Sequence, residues 1–196
     1  MIITLAGLNK FLLLEELGRL TNEFTKQYGD MALEKIDCEE VGFERILESI
    51  QSLPFLANKK MVILRSPSAN KKFIEQATAL LGEVPQSTEL VIVEPKLDKR
   101  LSYFKALKNR TEFREFAGMD AYSLAKWLVA RAKERGGNIG GPDAQYLIER
   151  VGTNQDMLAR EVDKLLTYNN EITRSNIDSL TQATPQSTIF ELLDAA

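Results

Sequence analysis

The segment Leu53-Pro54-Phe55-Leu56-Ala57-Asn58-Lys59-Lys60-Met61-Val62-Ile63-Leu64 changes character at its midpoint. Met61 to Leu64 is a short unbroken apolar run, the pattern of a strand buried on both faces of a parallel sheet. The half before it is odder. Pro54 disfavours continuation of the preceding helix, which leaves Phe55 and Leu56 between that break and the polar Asn58-Lys59-Lys60. Two large apolar residues on a connecting segment are either tucked under the sheet or offered to a partner.

Toward the N-terminus, Ile2 to Ala6 reads as a first strand ending at Gly7. A helical pattern follows, with Phe11, Leu12, Leu14 (or Glu15), Leu17, Leu20 and Phe24 roughly on one face. Tyr28-Gly29-Asp30 closes it, and Ala32 to Ile36 reads as a second strand. Phe43, Ile46, Leu47 and Ile50 recur at helical spacing and lead into the break at Pro54. Beyond the third strand at Met61 to Leu64, a helix through Phe73, Ile74, Ala77, Leu80 and Leu81 ends near Gly82. Glu89 to Val93 is a fourth strand stopped at Pro95; Leu101, Phe104 and Leu107 mark a helix, and Glu112 to Phe116 a fifth strand. Strand alternating with helix in this way predicts an α/β domain, a five-stranded parallel sheet with flanking helices joined by right-handed crossovers.

After Gly118 only helical patterns follow. The first runs from an Asp120 cap through Leu124, Trp127, Leu128 and Ala132 to Gly136-Gly137. A second starts near Pro142 and carries Leu147, Ile148 and Val151; a third holds Met157, Leu158, Val162, Leu165 and Leu166. A fourth follows a Thr173 cap, with Ile177 and Leu180 inward. The expected division is an α/β domain over 1–118, a small all-helical lid over 119–185, and over 186–196 the start of a further helix. That last pattern, Thr188 to Ala196, leads into a third, missing segment or docks as a short terminal helix.

The 196 residues are 44% hydrophobic and 27% charged with a net charge of −3, an ordinary globular composition that argues against wholesale nucleic-acid binding. Cys38 is the single cysteine and histidine is absent, which excludes an internal disulfide, cysteine-based zinc sites, Ser-His-Asp and Cys-His catalysis and histidine-ligated metals. Met1-Ile2-Ile3-Thr4-Leu5 does not read as a secretory signal, and no apolar run approaches the ~20 residues of a membrane span. A cytoplasmic location without membrane contact is expected.

A sheet of this kind followed by a helical bundle resembles the layout of AAA+ ATPases. Their phosphate loop, G-x-x-x-x-G-K-[ST], uses glycines to aim backbone N–H groups at phosphates, a lysine to neutralise charge and a hydroxyl to hold magnesium. The corresponding turn here is Gly7-Leu8-Asn9-Lys10-Phe11-Leu12, with no second glycine and no Lys-Ser/Thr pair. The third strand, which would deliver acids to magnesium, ends Leu64-Arg65-Ser66. Glu94 and Asp98 after the fourth strand are read as solvated loop residues. The fold expected is thus a degenerate AAA+ module, with no nucleotide, metal or other cofactor expected.

Several short motifs resemble the delta subunit family of bacterial DNA polymerase III, the clamp-opening member of the sliding-clamp loader. Gly7 followed by Phe11-Leu12 and Glu15-Glu16 is similar to that family's degenerate first turn. Leu53-Pro54-Phe55-Leu56 is similar to its Leu-Pro-Phe-Phe motif, and Lys96-Leu97-Asp98-Lys99-Arg100-Leu101 to the signature after its fourth strand. Glu161-Val162-Asp163-Lys164-Leu165-Leu166 with Tyr168 and Glu171-Ile172-Thr173, then Phe190-Glu191-Leu192, match its helical region. The resemblance implies a non-catalytic subunit of a DNA polymerase holoenzyme that binds and opens the sliding clamp (the polymerase beta subunit) without ATP hydrolysis of its own. Its partners would be that clamp, other clamp-loader subunits, and primed DNA through the assembled complex. The implied clamp-binding residues are Leu53, Pro54, Phe55 and Leu56. The resemblance also implies a further helical collar domain, to which the pattern over 186–196 is expected to lead. Alternatives are an ATPase with a noncanonical loop around Gly7 to Lys10, and a non-ATPase scaffold.

Other residues carry weaker signals. Lys96, Lys99 and Arg100, with Lys105, Lys108 and Arg110, are a candidate DNA contact, read more simply as a solvated face. Tyr122, Trp127 and Tyr146 are expected in the core of the bundle rather than as a base-stacking platform. Cys38 is expected to be inert, and Glu161 and Asp163 to be helix-surface charges with Lys164 in reach.

Overall fold

The computed structural model describes residues 1–55 and 57–182. The readings placed on Leu56 and on Thr188 to Ala196 lie outside the described residues. The chain divides into two compact units, Met1–Gly118 and Met119–Ala196.

The first unit holds five strands: β1 (Ile2–Ala6), β2 (Leu33–Asp37), β3 (Lys60–Arg65), β4 (Thr88–Glu94) and β5 (Glu112–Glu115). All pair in parallel, in the order β2-β3-β4-β1-β5. In β3, Val62, Ile63 and Leu64 are fully buried and alternate between faces. Val62 and Leu64 meet α2 (Phe43–Gln51), α3 (Lys71–Gly82) and α4 (Ser102–Arg110) through Ile46, Phe73 and Leu107. Met61 and Ile63 meet α1 (Lys10–Tyr28) on the opposite face. Two-sided burial is why these strands carry continuous apolar runs instead of alternation.

Two local expectations shift by one residue. The α1 stripe is Leu13, Leu17, Leu20 and Phe24, and Leu14 is exposed. Four consecutive apolar residues at 11–14 leave the helical phase ambiguous, and packing on Ile3, Leu5 and Val91 selects Leu13. The second strand begins at Leu33, because Asp30–Ala32 forms a 3₁₀ turn that brings the chain from α1 to the sheet edge.

The second unit contains α5 (Ala121–Glu134), α6 (Gly141–Val151), α7 (Gln155–Tyr168) and α8 (Arg174–Leu180) around Leu128, Leu147, Leu158, Val162, Leu165 and Ile177. It also has a feature that helical periodicity does not register. Asn138–Ile139 (β6) and Glu171–Ile172 (β7) form a two-residue parallel ladder, too short to leave a sequence pattern. Trp127 and Tyr146 pack against this core, but Tyr122 is exposed, with Lys126 Nζ 4.2 Å from its ring centroid. The expectation that Tyr122 is core is corrected: it occupies the first turn of α5, beside the Asp120 cap, where the apolar stripe begins only at Leu124. Glu161 pairs with Lys164 as expected. Asp163 is less of a surface charge than its spacing suggests, lying 3.7 Å from the buried Arg131 and 3.5 Å from Arg135. Among the described residues no helix is long and apolar enough to cross a membrane.

Candidate functional site

The connection from α2 to β3 is built to display side chains. The helix ends at Gln51; Ser52 caps it in an extended conformation, its N–H donating to the Glu48 carbonyl at 2.8 Å, and Pro54 follows two residues on. Leu53 is 81% exposed and Phe55 73%. Neither is tucked under the sheet. Ala57, by contrast, packs with Tyr28 against the α1-side core, which pins the descending limb of the loop.

The base of this loop is tied by several contacts. Lys60, the first residue of β3, is 6% exposed, and its ammonium donates to the Ser49 carbonyl and, at 2.8 Å, to Ser52 Oγ. Burial pushes the Lys60 ammonium below its usual range, an effect that Glu34 opposes and Arg45 reinforces. Thr88 Oγ1 donates to the Ile50 carbonyl at 3.2 Å, and Lys59 pairs with Glu89 at 3.1 Å. Met31, 82% exposed, precedes β2, the strand beside β3, and so lies at the same end of the sheet. Neither Met31 nor Lys60 stood out in the sequence. A methionine in a turn and a lysine beside another lysine carry no periodic signal.

At the opposite, C-terminal end of the sheet lies the turn where a phosphate loop would be. Gly7 has φ 124°, its N–H donates to the Glu94 carbonyl at 3.1 Å, and the Asn9 N–H donates to the Phe116 carbonyl at 3.0 Å. The Lys10 N–H donates to Leu8, and the Asn9 side chain caps α1 by accepting from the Leu12 N–H. These amides, the donors that a phosphate would otherwise recruit, point at protein carbonyls and at the capping Asn9 side chain. Beside the turn is a cavity of about 530 Å³ with largely apolar lining, including Leu8, Leu97, Phe104 and Phe113.

Glu94 overturns its expected role as a solvated loop residue. It is 1% exposed, with Oε1 accepting from the Ser68 N–H (2.8 Å) and the Tyr103 hydroxyl (3.0 Å), and Oε2 accepting from Ser68 Oγ (2.7 Å). The reason is topological: β4 is central, and both its faces are covered up to its last residue. The network holds the turn after β3, where Ser66 has φ 50°, a left-handed conformation disfavoured for a residue with a Cβ. Burial raises the Glu94 carboxyl above its usual range, partly offset by Ser68 and Tyr103. An acid whose folded-state pKa is raised stabilises the fold at low pH and loses that contribution as pH rises through the folded value. Glu94→Gln can keep all three contacts, with its amide nitrogen donating to Ser68 Oγ. Its melting temperature, measured from pH 4 upward, is therefore expected to fall less with rising pH than that of the wild type. A parallel pair of curves would contradict this. Cys38 is buried nearby and its thiol is pushed up to about 12, mainly by burial, as its inert assignment requires.

Two of the basic residues after β4 pair with acids. Lys99 pairs with Glu115 at 2.5 Å, and Arg100 with Asp98 at 2.8 Å, which lowers the Asp98 carboxyl to about 2. Lys96 lines a smaller polar cavity with Lys10, Ser66 and Glu94. Lys108 leans over the Phe104 ring at 5.3 Å. Lys105 and Arg110 lie with Lys108 on α4.

Strand order, crossover pattern and the helical second unit define an AAA+-type module whose phosphate-loop residues have been replaced. The model of the family described as DNA polymerase III, delta subunit, matches residues 4–116, and the chain belongs to that family. It is 27% identical to the DNA polymerase III subunit delta of Bacillus subtilis (strain 168) over 205 aligned positions, covering 97% of this chain and 59% of that protein. Among solved structures it is similar to the Bacillus subtilis DNA clamp loader delta protein, with a TM-score of 0.79 and 25% identity over 98% of this chain and 61% of the other. The Thermotoga maritima RuvB Holliday junction branch migration motor shares the fold at a TM-score of 0.51 and 12% identity, covering 90% of this chain and 59% of that one. The chain thus spans about three-fifths of the length of the delta proteins it matches.

Proposed function

We propose that this chain is the clamp-contacting part of a clamp-loader delta subunit, binding the sliding clamp through Leu53, Pro54, Phe55 and Leu56 and favouring its opened form without hydrolysing ATP. The observation that carries the reading is the exposure of Leu53 and Phe55, 81% and 73%, on a loop whose base is tied down. Two large apolar side chains held out in water gain ~1.5–3 kcal/mol each when a partner buries them. That suffices to anchor an interface, but not to break a ring by area alone. The subunit would therefore act by binding the open ring better than the closed one, shifting an equilibrium already available to the clamp. Met31, exposed at the same end of the sheet, is a further apolar side chain open to a partner there.

The engaged amides of Gly7, Asn9 and Lys10 support a non-catalytic role, with ATP handled by other loader subunits and primed DNA met in the assembled complex. The pairing of Lys99 and Arg100 with acids argues against a DNA contact through Lys96, Lys99 and Arg100 in this chain. The test is a pair of calorimetric titrations of the 196-residue chain, one with the cognate sliding clamp and one with Mg-ATP. Saturable clamp binding with no ATP heat is expected. A folded chain that ignores the clamp would point to a scaffold, and saturable ATP binding to a working nucleotide site.

A further inference from the structure

Lys60 occupies an unusual place for a lysine. Its backbone belongs to the sheet: the N–H donates to the Ser87 carbonyl at 2.9 Å, and the residue pairs with Thr88 of β4. Its side chain runs back eight residues, under the loop, to Ser52 Oγ at 2.8 Å and to the Ser49 carbonyl in the last turn of α2. Carbonyls at a helix C-terminus lack intrahelical partners, and a cation there also meets the negative end of the helix dipole. Burying an ammonium is unfavourable unless it is well hydrogen-bonded, so a buried lysine that only filled space would be better replaced by methionine. The nearest charged groups acting on it, Glu34 on β2 and Arg45 on α2, oppose one another in their effect.

We infer that Lys60 is a positioning residue for the docking loop. Its ammonium joins the rigid start of β3 to the first residue of the loop, and so presents Leu53 and Phe55 in one geometry. This rests on the docking reading above and deepens it, because a loop ordered in advance loses less conformational freedom when a partner closes over it. Thr88, which also reaches under the loop to Ile50, reinforces the same base without touching Ser52.

Lys60→Met keeps the buried stem and removes the donors. Two quantities decide the matter in the full chain. The backbone amide of Ser52, the first residue of the loop, which donates to the Glu48 carbonyl at 2.8 Å, is expected to exchange hydrogen about tenfold faster in Lys60→Met, the scale of one lost charged hydrogen bond, while Val62 and Leu64 keep wild-type rates. Affinity for the sliding clamp is expected to fall by a similar factor, and Lys60→Arg, which restores a donor, to recover much of both. Unchanged loop exchange, or exchange accelerated equally along β3, overturns the inference, since the second outcome describes a general loss of stability. If Lys60→Met does not fold, Ser52→Ala removes only the loop-side acceptor and decides by the same exchange measurement. Should the wild-type chain fail to bind the clamp, the docking reading falls, while the exchange experiment still decides whether Lys60 orders the loop.

Discussion

Replacing Leu53 and Phe55 together by alanine is expected to reduce affinity for the sliding clamp by roughly two to four orders of magnitude. The range follows from ~1.5–3 kcal/mol per large apolar side chain buried and a tenfold change for every ~1.4 kcal/mol. The same variant is expected to melt within a few degrees of the wild type. Both side chains are mostly in water in the free chain, so truncation removes little packing. Calorimetric titration with the clamp, alongside a thermal melt, measures both quantities. A variant that unfolds would place the side chains in the core after all, and one that binds as before would move the interface elsewhere. The contrast with a core position is built in: truncating Leu64, fully buried between α2, α3 and their neighbours, costs ~2–5 kcal/mol of stability irrespective of any partner.

The second large effect concerns Gly7, at the turn where a phosphate loop would lie. A Cβ built on it meets the Phe116 carbonyl oxygen at 2.2 Å, and the backbone φ of 124° is one that only glycine adopts freely. Phe116 is held in place, its N–H donating to the Ala6 carbonyl at 2.7 Å and its carbonyl accepting from Asn9, so the contact cannot relax by a side-chain rotation. Gly7→Ala is expected to destabilise the first unit by ~2–5 kcal/mol, adding backbone strain to overpacking, a fall in melting temperature on the order of ten degrees. Gly18 is the internal control. It lies within α1 with nothing within 4 Å of its would-be Cβ, and Gly18→Ala is expected to stabilise by ~0.5–1 kcal/mol through helix propensity. Thermal or denaturant unfolding of both variants checks the opposite signs. If Gly7→Ala proves neutral, the glycine is there for something other than the approach of Phe116. On the present geometry it makes room for a neighbouring strand end, the role left to it in a turn whose amides face carbonyls.

Much of the fold was legible because burial leaves a period in the sequence. Met61 to Leu64 is apolar throughout since β3 is covered on both faces, and Phe43, Ile46 and Ile50 fall 3.5 residues apart on average since α2 covers one of them. The missing phosphate loop was equally local, a matter of which residues follow Gly7. Where several apolar residues adjoin, as at Phe11 to Leu14, the pattern fixed that a helix exists but not its rotation. Two-residue ladders such as Asn138–Ile139 with Glu171–Ile172 lie below the length at which any period can register.

The candidate site divides along the same line. Chain order alone determined that Phe55 sits on a connection after a helix break, and the motif around it carried the family resemblance. Whether that ring faces water or the core was decided in three dimensions, where Ala57 of the same loop packs on the α1-side core and Phe55 stays 73% exposed. The buried Glu94, assigned to solvent on residue type, and the buried Lys60 were decided there too. The physical reason is common to both. A charged side chain is buried only where distant groups satisfy it, here Ser68 with Tyr103 and Ser49 with Ser52, and a linear sequence does not record which residues folding brings within 3 Å of one another.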